Sequence, residues 1–363
     1  MKIEVYSPTI RRKEMDAVLT AMVEEKIGPG ERNRLLIQTA REQLHFDYAL
    51  ALRSPAVALY LALKALGVRS GQAVVISALS PRYYFHVIED LQLTPLFCDV
   101  SFDFPCMSRE TIEKTIAGKP DGLEVCAIVL HHTLGFIPDT ASIAELGFPV
   151  IEDISHSYGR RGKTDRKDAG DKELSNVESS KDKDEVLFKI KGVFCILGLE
   201  ERDMLTSGGG ALLFAMNRKD GSVLRNFASI PDEYCLPDIN AALAVVQFKE
   251  LQRNIEKRHD IARVYTQASL RTRHKRFIPL SEDDYNNYSF SLVLETGLKD
   301  VVAYAKKKEI VIESAFENTV AGVGLCASPV SSSLALRTVL FPMYPMLRSQ
   351  DAERVSRLIM TLP

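Results

Sequence analysis

The chain contains no apolar run of eighteen residues, and its start, Met1-Lys2-Ile3-Glu4-Val5-Tyr6, has no apolar leader core. Neither a membrane-spanning helix nor a secretory signal is therefore expected. It also lacks a charge excess: 46 basic against 48 acidic residues leave a net charge of -2. Such a balance gives no electrostatic reason to expect nucleic acid or an anionic membrane as partner. No CxxC pair occurs, and the six cysteines (Cys98, Cys106, Cys126, Cys195, Cys235, Cys326) are scattered without metal-ligand spacing. Several lie in apolar runs and read as reduced core thiols, so a cytoplasmic location without membrane insertion is the expectation. Gly208-Gly209-Gly210 is not followed by Lys-Ser/Thr, which excludes a P-loop and leaves a tight turn. His131-His132, Asp153 and His156 fit no standard metal spacing, and no Ser–His–Asp or Cys–His arrangement emerges.

What is present is an ordinary globular composition, 46% hydrophobic and 26% charged over 363 residues, long enough for two domains. Apolar runs at 48–52, 73–77, 94–99, 126–130 and 148–153 read as buried strands, with helical patterns between several of them. That alternation predicts an α/β fold with a mainly parallel sheet sandwiched by helices. Ligands of such sheets sit beyond the carboxyl ends of the strands, where Asp153 is expected. Ser54 is a suitable N-cap and Pro55 a natural first helical residue. Asp238 is expected to cap a long amphipathic helix running towards Tyr265. Short strands (288–294, 310–313) and helices (299–308, 351–360) after it predict a smaller C-terminal α+β domain. The expected division is 1–236 for the large domain and 237–363 for the small one. Residues 160–185, rich in Lys, Asp, Glu, Ser and Gly, read as a charged mobile insertion.

Several motifs in fixed order give the chain a resemblance. They are Ser7-Pro8-Thr9, Ile27-Gly28-Pro29-Gly30, Ala62-Leu63-Lys64-Ala65-Leu66-Gly67, Thr94-Pro95-Leu96-Phe97-Cys98-Asp99, Val150-Ile151-Glu152-Asp153, Gly209-Gly210-Ala211 and Phe341-Pro342-Met343-Tyr344-Pro345. With them the chain resembles the DegT/DnrJ/StrS family of fold-type-I, pyridoxal-phosphate-dependent sugar aminotransferases over nearly its whole length outside 160–185. The resemblance implies a fold-type-I aminotransferase-like architecture, a homodimer with shared sites, and substrates that are keto groups on nucleotide-linked sugars. It also implies pyridoxal phosphate as cofactor, with Asp153 beside the pyridine nitrogen, His156 beside the ring and His132 near the cofactor face.

At the family's Schiff-base lysine, seven residues before Gly209, this sequence has Arg202. A guanidinium stays protonated at physiological pH and supplies no free amine. A one-residue slip gives Glu201 or Asp203, which restores none. The family's phosphate-binding helix start is here Ser54-Pro55-Ala56, where Pro55 removes an N–H donor and Ala56 lacks a hydroxyl. Its phosphate-side serine is replaced by Glu201 and its stacking aromatic by Pro81, with Tyr83, Tyr84 and Phe85 close behind. An asparagine and an arginine that reach the partner subunit's phosphate align with Glu233 and Cys235.

The reading that follows is a catalytically degenerate relative that no longer holds the cofactor. It would serve as a sugar-nucleotide-binding or scaffolding protein linked to surface-polysaccharide or amino-sugar biosynthesis. Two alternatives remain open: altered chemistry on a cofactor or sugar nucleotide held by Asp153, His156, His132 and Arg202, or an active transaminase or dehydratase whose lysine lies elsewhere.

Overall fold

The computed structural model describes residues 2–159, 190–227, 229–281 and 284–363. The expected insertion at 160–185 lies outside the described residues. Seven strands, β1 (Tyr48–Leu52), β2 (Ala73–Ser77), β3 (Thr94–Cys98), β4 (Val125–His131), β5 (Val150–Asp153), β6 (Phe194–Gly198) and β7 (Ala211–Ala215), form one sheet in the order β1-β7-β6-β5-β4-β2-β3. The pairings from β3 through β2, β4 and β5 to β6 are parallel, whereas β7 runs antiparallel to both β6 and β1.

The apolar runs form strands because both faces of this sheet are covered, so every side chain of β2, β6 and β7 is buried. Alternate residues of β2 divide between the layers: Val74 and Ile76 join Leu59, Leu63 and Ile151 on one face, Ala73 and Val75 join Ile128 and Leu130 on the other. Parallel pairing brings the carboxyl ends of five strands to one edge, where Cys98, Ser77, His131, Asp153 and Gly198 stand in sequence across the sheet. His131 is paired directly with Asp153.

A second sheet of three antiparallel strands, β8 (Phe290–Val293), β10 (Thr338–Phe341) and β9 (Glu313–Ser314), lies in the C-terminal part. The strand expected over 310–313 is thus shifted: Ile310 instead bridges to Ile3. Helix Asp238–Ser269 packs against helices Arg12–Val23, Glu31–Leu44 and Ser349–Met360, linking the N-terminal region to the C-terminal part.

Ser54 caps helix Pro55–Ala65 as expected, its hydroxyl accepting from the Val57 N–H at 3.3 Å with Pro55 as the first helical residue. Asp238 does not cap its own helix, whose N-cap is Pro237. Its buried carboxylate reaches across the fold to the first turn of helix Glu31–Leu44, accepting from the N–H groups of Arg32 (3.1 Å) and Asn33 (3.2 Å). A capping acid at the right sequence position thus serves a helix some two hundred residues away, because tertiary packing brings that helix start closer.

Candidate active-site cleft

The carboxyl ends of β4, β5 and β6 hold a buried polar cluster centred on Asp153. Both carboxylate oxygens are engaged: Oδ2 accepts from the Tyr84 hydroxyl at 2.6 Å and the Tyr83 hydroxyl at 3.3 Å. Oδ1 accepts from the Ser155 N–H at 3.0 Å and from the Ser155 hydroxyl. Burial opposes ionisation of Asp153, but His131 and the hydrogen bonds from Ser155 and Tyr84 outweigh it and hold the carboxyl below its ordinary range. Burial, reinforced by Asp153, keeps the Tyr84 phenol protonated far above its usual range, so it can only donate to the carboxylate.

His131 presents its ring to this cluster, 6.1 Å from Tyr84 and 4.9 Å from His156, with Nδ1 3.1 Å from the Thr133 hydroxyl. Burial pushes it down to about 4 against the pull of Asp153, so the imidazole is neutral near pH 7. His132, the first residue past β4, turns the other way, with Nδ1 2.6 Å from the Ser157 hydroxyl and Nε2 3.5 Å from the buried Glu152 carboxylate. It is therefore His131, not His132, whose ring faces the aromatic and acidic groups around Asp153.

His156 stacks on Tyr288 from the C-terminal part, with centroids 4.1 Å apart and planes 11° from parallel. Burial, with His131 adding to it, pushes His156 down to about 3, and its Nδ1 is buried without a hydrogen-bond partner. The Asn286 side chain holds this stack in register, donating to the carbonyls of His156 (2.8 Å) and Tyr158 (3.1 Å) while accepting from the Tyr288 N–H (3.0 Å).

The loop between β6 and β7 separates two adjacent residues. Arg202 points outward, more than half exposed, with Nη1 2.6 Å from Glu313 of β9 and its guanidinium 5.8 Å above the Tyr6 ring. Asp203 turns inward, with Oδ1 3.8 Å from His156 Nε2 and Oδ2 accepting from the Glu200 N–H at 2.8 Å. Burial pushes Asp203 up to about 8; the Glu200 N–H opposes this while Asp153 and Glu200 add to it. Gly198 makes the crowding possible: its N–H donates to Ser155 Oγ at 2.7 Å, and a Cβ there would overlap the Asp203 carboxylate and Ser155 Oγ. Asp203 is the site residue that a count from Gly209 passes over by one position, and only its burial distinguishes it from Arg202.

Of the other sequence candidates, Ser54 spends its hydroxyl on its own helix and Ala56 offers none. Glu201 is exposed, and its carbonyl accepts from the Tyr6 hydroxyl. Cys235 pairs with Leu52 beside β1. Among the described residues no group of His, Cys, Asp or Glu could hold a metal ion, and no helix is long and apolar enough to cross a membrane.

A mainly parallel seven-stranded sheet with helices on both faces, a buried carboxylate at the end of β5 and a glycine turn before β7 define an aminotransferase-like fold. The chain belongs to the DegT/DnrJ/EryC1/StrS aminotransferase family, whose pattern it matches over residues 8–179 and 215–360. Among solved structures it is similar to the aminotransferase TlmJ from Streptoalloteichus hindustanus, with 18% identity, TM-score 0.81, and 99% of this chain and 98% of that one covered. A Streptococcus pneumoniae protein described as a sugar aminotransferase, known in PLP and PMP forms, is 15% identical. Its PLP form has TM-score 0.80 and covers 99% of this chain and 98% of its own. A mutant GDP-4-keto-6-deoxymannose-3-dehydratase (ColD) with bound GDP-perosamine is 12% identical with TM-score 0.79, covering 98% of this chain and all of that one. At these identities the likeness establishes the fold.

The residues present do not fit pyridoxal phosphate. The carboxylate that would meet the ring nitrogen already accepts four hydrogen bonds from Tyr83, Tyr84 and Ser155. The first turn of helix Pro55–Ala65 has lost a donor to Pro55 and has Val57 N–H turned to Ser54. Arg202 is tied outward to Glu313.

Proposed function

We propose that this protein is a catalytically degenerate member of its family: a folded, cofactor-free scaffold that binds a nucleotide-linked sugar or a protein partner without transaminating. The observation that carries this reading is the saturation of Asp153 by Tyr84, Tyr83 and Ser155, since an acceptor with no free lone-pair direction cannot hold a protonated ring nitrogen. Arg202 supports it, because a guanidinium cannot serve as the Schiff-base amine or as a general base at neutral pH.

The sugar-nucleotide class rests on family membership and on the GDP-perosamine held by the dehydratase neighbour. A role beside surface-polysaccharide or amino-sugar biosynthesis rests on family analogy alone; the cytoplasmic location is proposed from six cysteines that are all unpaired. A homodimer is part of the reading. It is supported by a row of exposed apolar side chains, Met15, Leu19, Met22, Val23, Ile27 and Leu35, on and around the first two helices.

The test is a visible spectrum of the purified protein with and without saturating pyridoxal phosphate, followed by borohydride reduction and peptide mapping. No band and no adduct are expected. A reducible adduct on any lysine would overturn the reading and restore an active transaminase; a band without an adduct would favour altered chemistry on a non-covalently held cofactor.

A further inference from the structure

We propose that Tyr84, assisted by Tyr83, is the built-in occupant of the ring subsite, and that the C-terminal part locks it there. The inference rests on the reading of the cleft as cofactor-free. The subsite has three attributes that suit a flat protonated ring: a buried carboxylate, flanking aromatic rings and a closed roof. In this chain each is already consumed by the chain itself. The Tyr84 hydroxyl meets Asp153 Oδ2 at 2.6 Å, in the role a ring N–H would play, and the residue is fully buried. Tyr83 lies edge-on to it at 4.9 Å and adds a second hydroxyl at 3.3 Å. Tyr288 closes the roof over His156.

The segment that carries the two tyrosines is not free to swing out. Residues 78–82 are stitched to the loop around Thr319 by backbone bonds. Ala321 N–H donates to Ala78 at 2.8 Å, Val320 N–H to Ser80 at 3.0 Å, and Arg82 N–H to Asn318 at 3.1 Å. Pro81 bridges Thr319 between them. Withdrawing Tyr84 would therefore break these backbone bonds to the loop around Thr319 as well as the bond to Asp153. An exchangeable lid would not be fastened this way; a permanent replacement for a ring ligand would.

The inference predicts a latent site for a protonated six-membered heteroaromatic ring, uncovered when the phenol is removed. Pyridoxine is the probe, because it carries the ring without the phosphate and so bypasses the altered helix start. Wild-type protein should not bind it at millimolar concentration in calorimetry. Tyr84→Ala should bind it, and Tyr84→Ala/Asp153→Asn should bind at least about tenfold more weakly, the worth of one hydrogen bond to a charged acceptor. Asp153-dependent binding of pyridoxine by the wild type, or none by folded Tyr84→Ala, would overturn the inference. Should Tyr84→Ala not fold, Tyr84→Phe keeps the ring and removes only the donor. It should fold with a Tm deficit against wild type that is full at pH 7 and shrinks as pH falls through the folded Asp153 value, and a deficit that stays constant with pH would equally overturn it. An adduct with pyridoxal phosphate in the wild type would instead sink the cofactor-free reading, so the two failures are distinguishable.

Discussion

The Tyr84 hydroxyl donates to Asp153 Oδ2 at 2.6 Å, and both residues are almost completely withdrawn from solvent. The carboxylate at the end of β5 is therefore a satisfied structural acceptor, and the stability of the cleft depends on donors that this chain supplies itself.

Replacing Tyr84 by Phe should cost about 1.5–3 kcal/mol, the range for a hydrogen bond to a charged partner. Because Asp153 is held below its ordinary range in the fold, its contribution is present above the ordinary carboxylate value and is lost as pH falls through the folded one. The variant's deficit should thus be full at pH 7 and shrink in acid, which urea melts between pH 3 and pH 7 would measure.

Asp203 works in the opposite sense. Its folded value near 8 lies above the ordinary 3.8, so the folded state holds the extra proton and stability falls as pH rises from about 4 to about 8. Asp203→Asn keeps an oxygen for the Glu200 N–H and removes the titration. The variant should gain stability relative to wild type at pH 8 and little or none near pH 4.

His131 and His156 are neutral in the fold down to about 4 and about 3, whereas the unfolded chain protonates them near 6.5. Stability should therefore be full above 6.5 and erode as pH falls through that window. His156→Phe retains a ring to stack on Tyr288 and should melt with a weaker acid dependence between pH 6 and pH 4, as followed by thermal denaturation.

Arg202→Lys restores the residue type expected at the Schiff-base position. With Asp153 saturated and Arg202 directed at Glu313, the lysine should still give no borohydride-reducible adduct with pyridoxal phosphate. Arg202→Ala should cost no more than about 1 kcal/mol, since the ion pair is largely exposed.

Gly198→Ala should destabilise by about 1–3 kcal/mol or more, because the added methyl group would meet the Asp203 carboxylate and Ser155 Oγ at the most crowded point of the cluster. Chemical denaturation of the two proteins at pH 7 measures it.

The sheet was legible because five buried runs separated by helical patterns leave few alternatives to a parallel α/β layer. Ser54 and Pro55 were legible for the same local reason: an N-cap and its first helical turn are decided within four residues. Asp238 was not, since the helix it caps lies far away in the chain. Nor could spacing alone divide Arg202 from Asp203, or His131 from His132, because adjacent residues differ only in which way the backbone turns them.

By itself the sequence determined the architecture, the carboxylate at the end of β5 and the lack of a lysine at the counted position, because hydrophobic periodicity and residue chemistry are local properties. Only the tertiary structure decided what that carboxylate faces. Tyr83 and Tyr84 read in the sequence only as aromatics close behind the position of the family's stacking ring; long-range bonds from the loop around Thr319 to residues 78–82 fasten the start of helix Tyr83–Asp90 over the strand end, and the two hydroxyls meet Asp153. Burial then does the rest, since a carboxylate withdrawn from water must find its donors within reach, and here it finds them in its own chain.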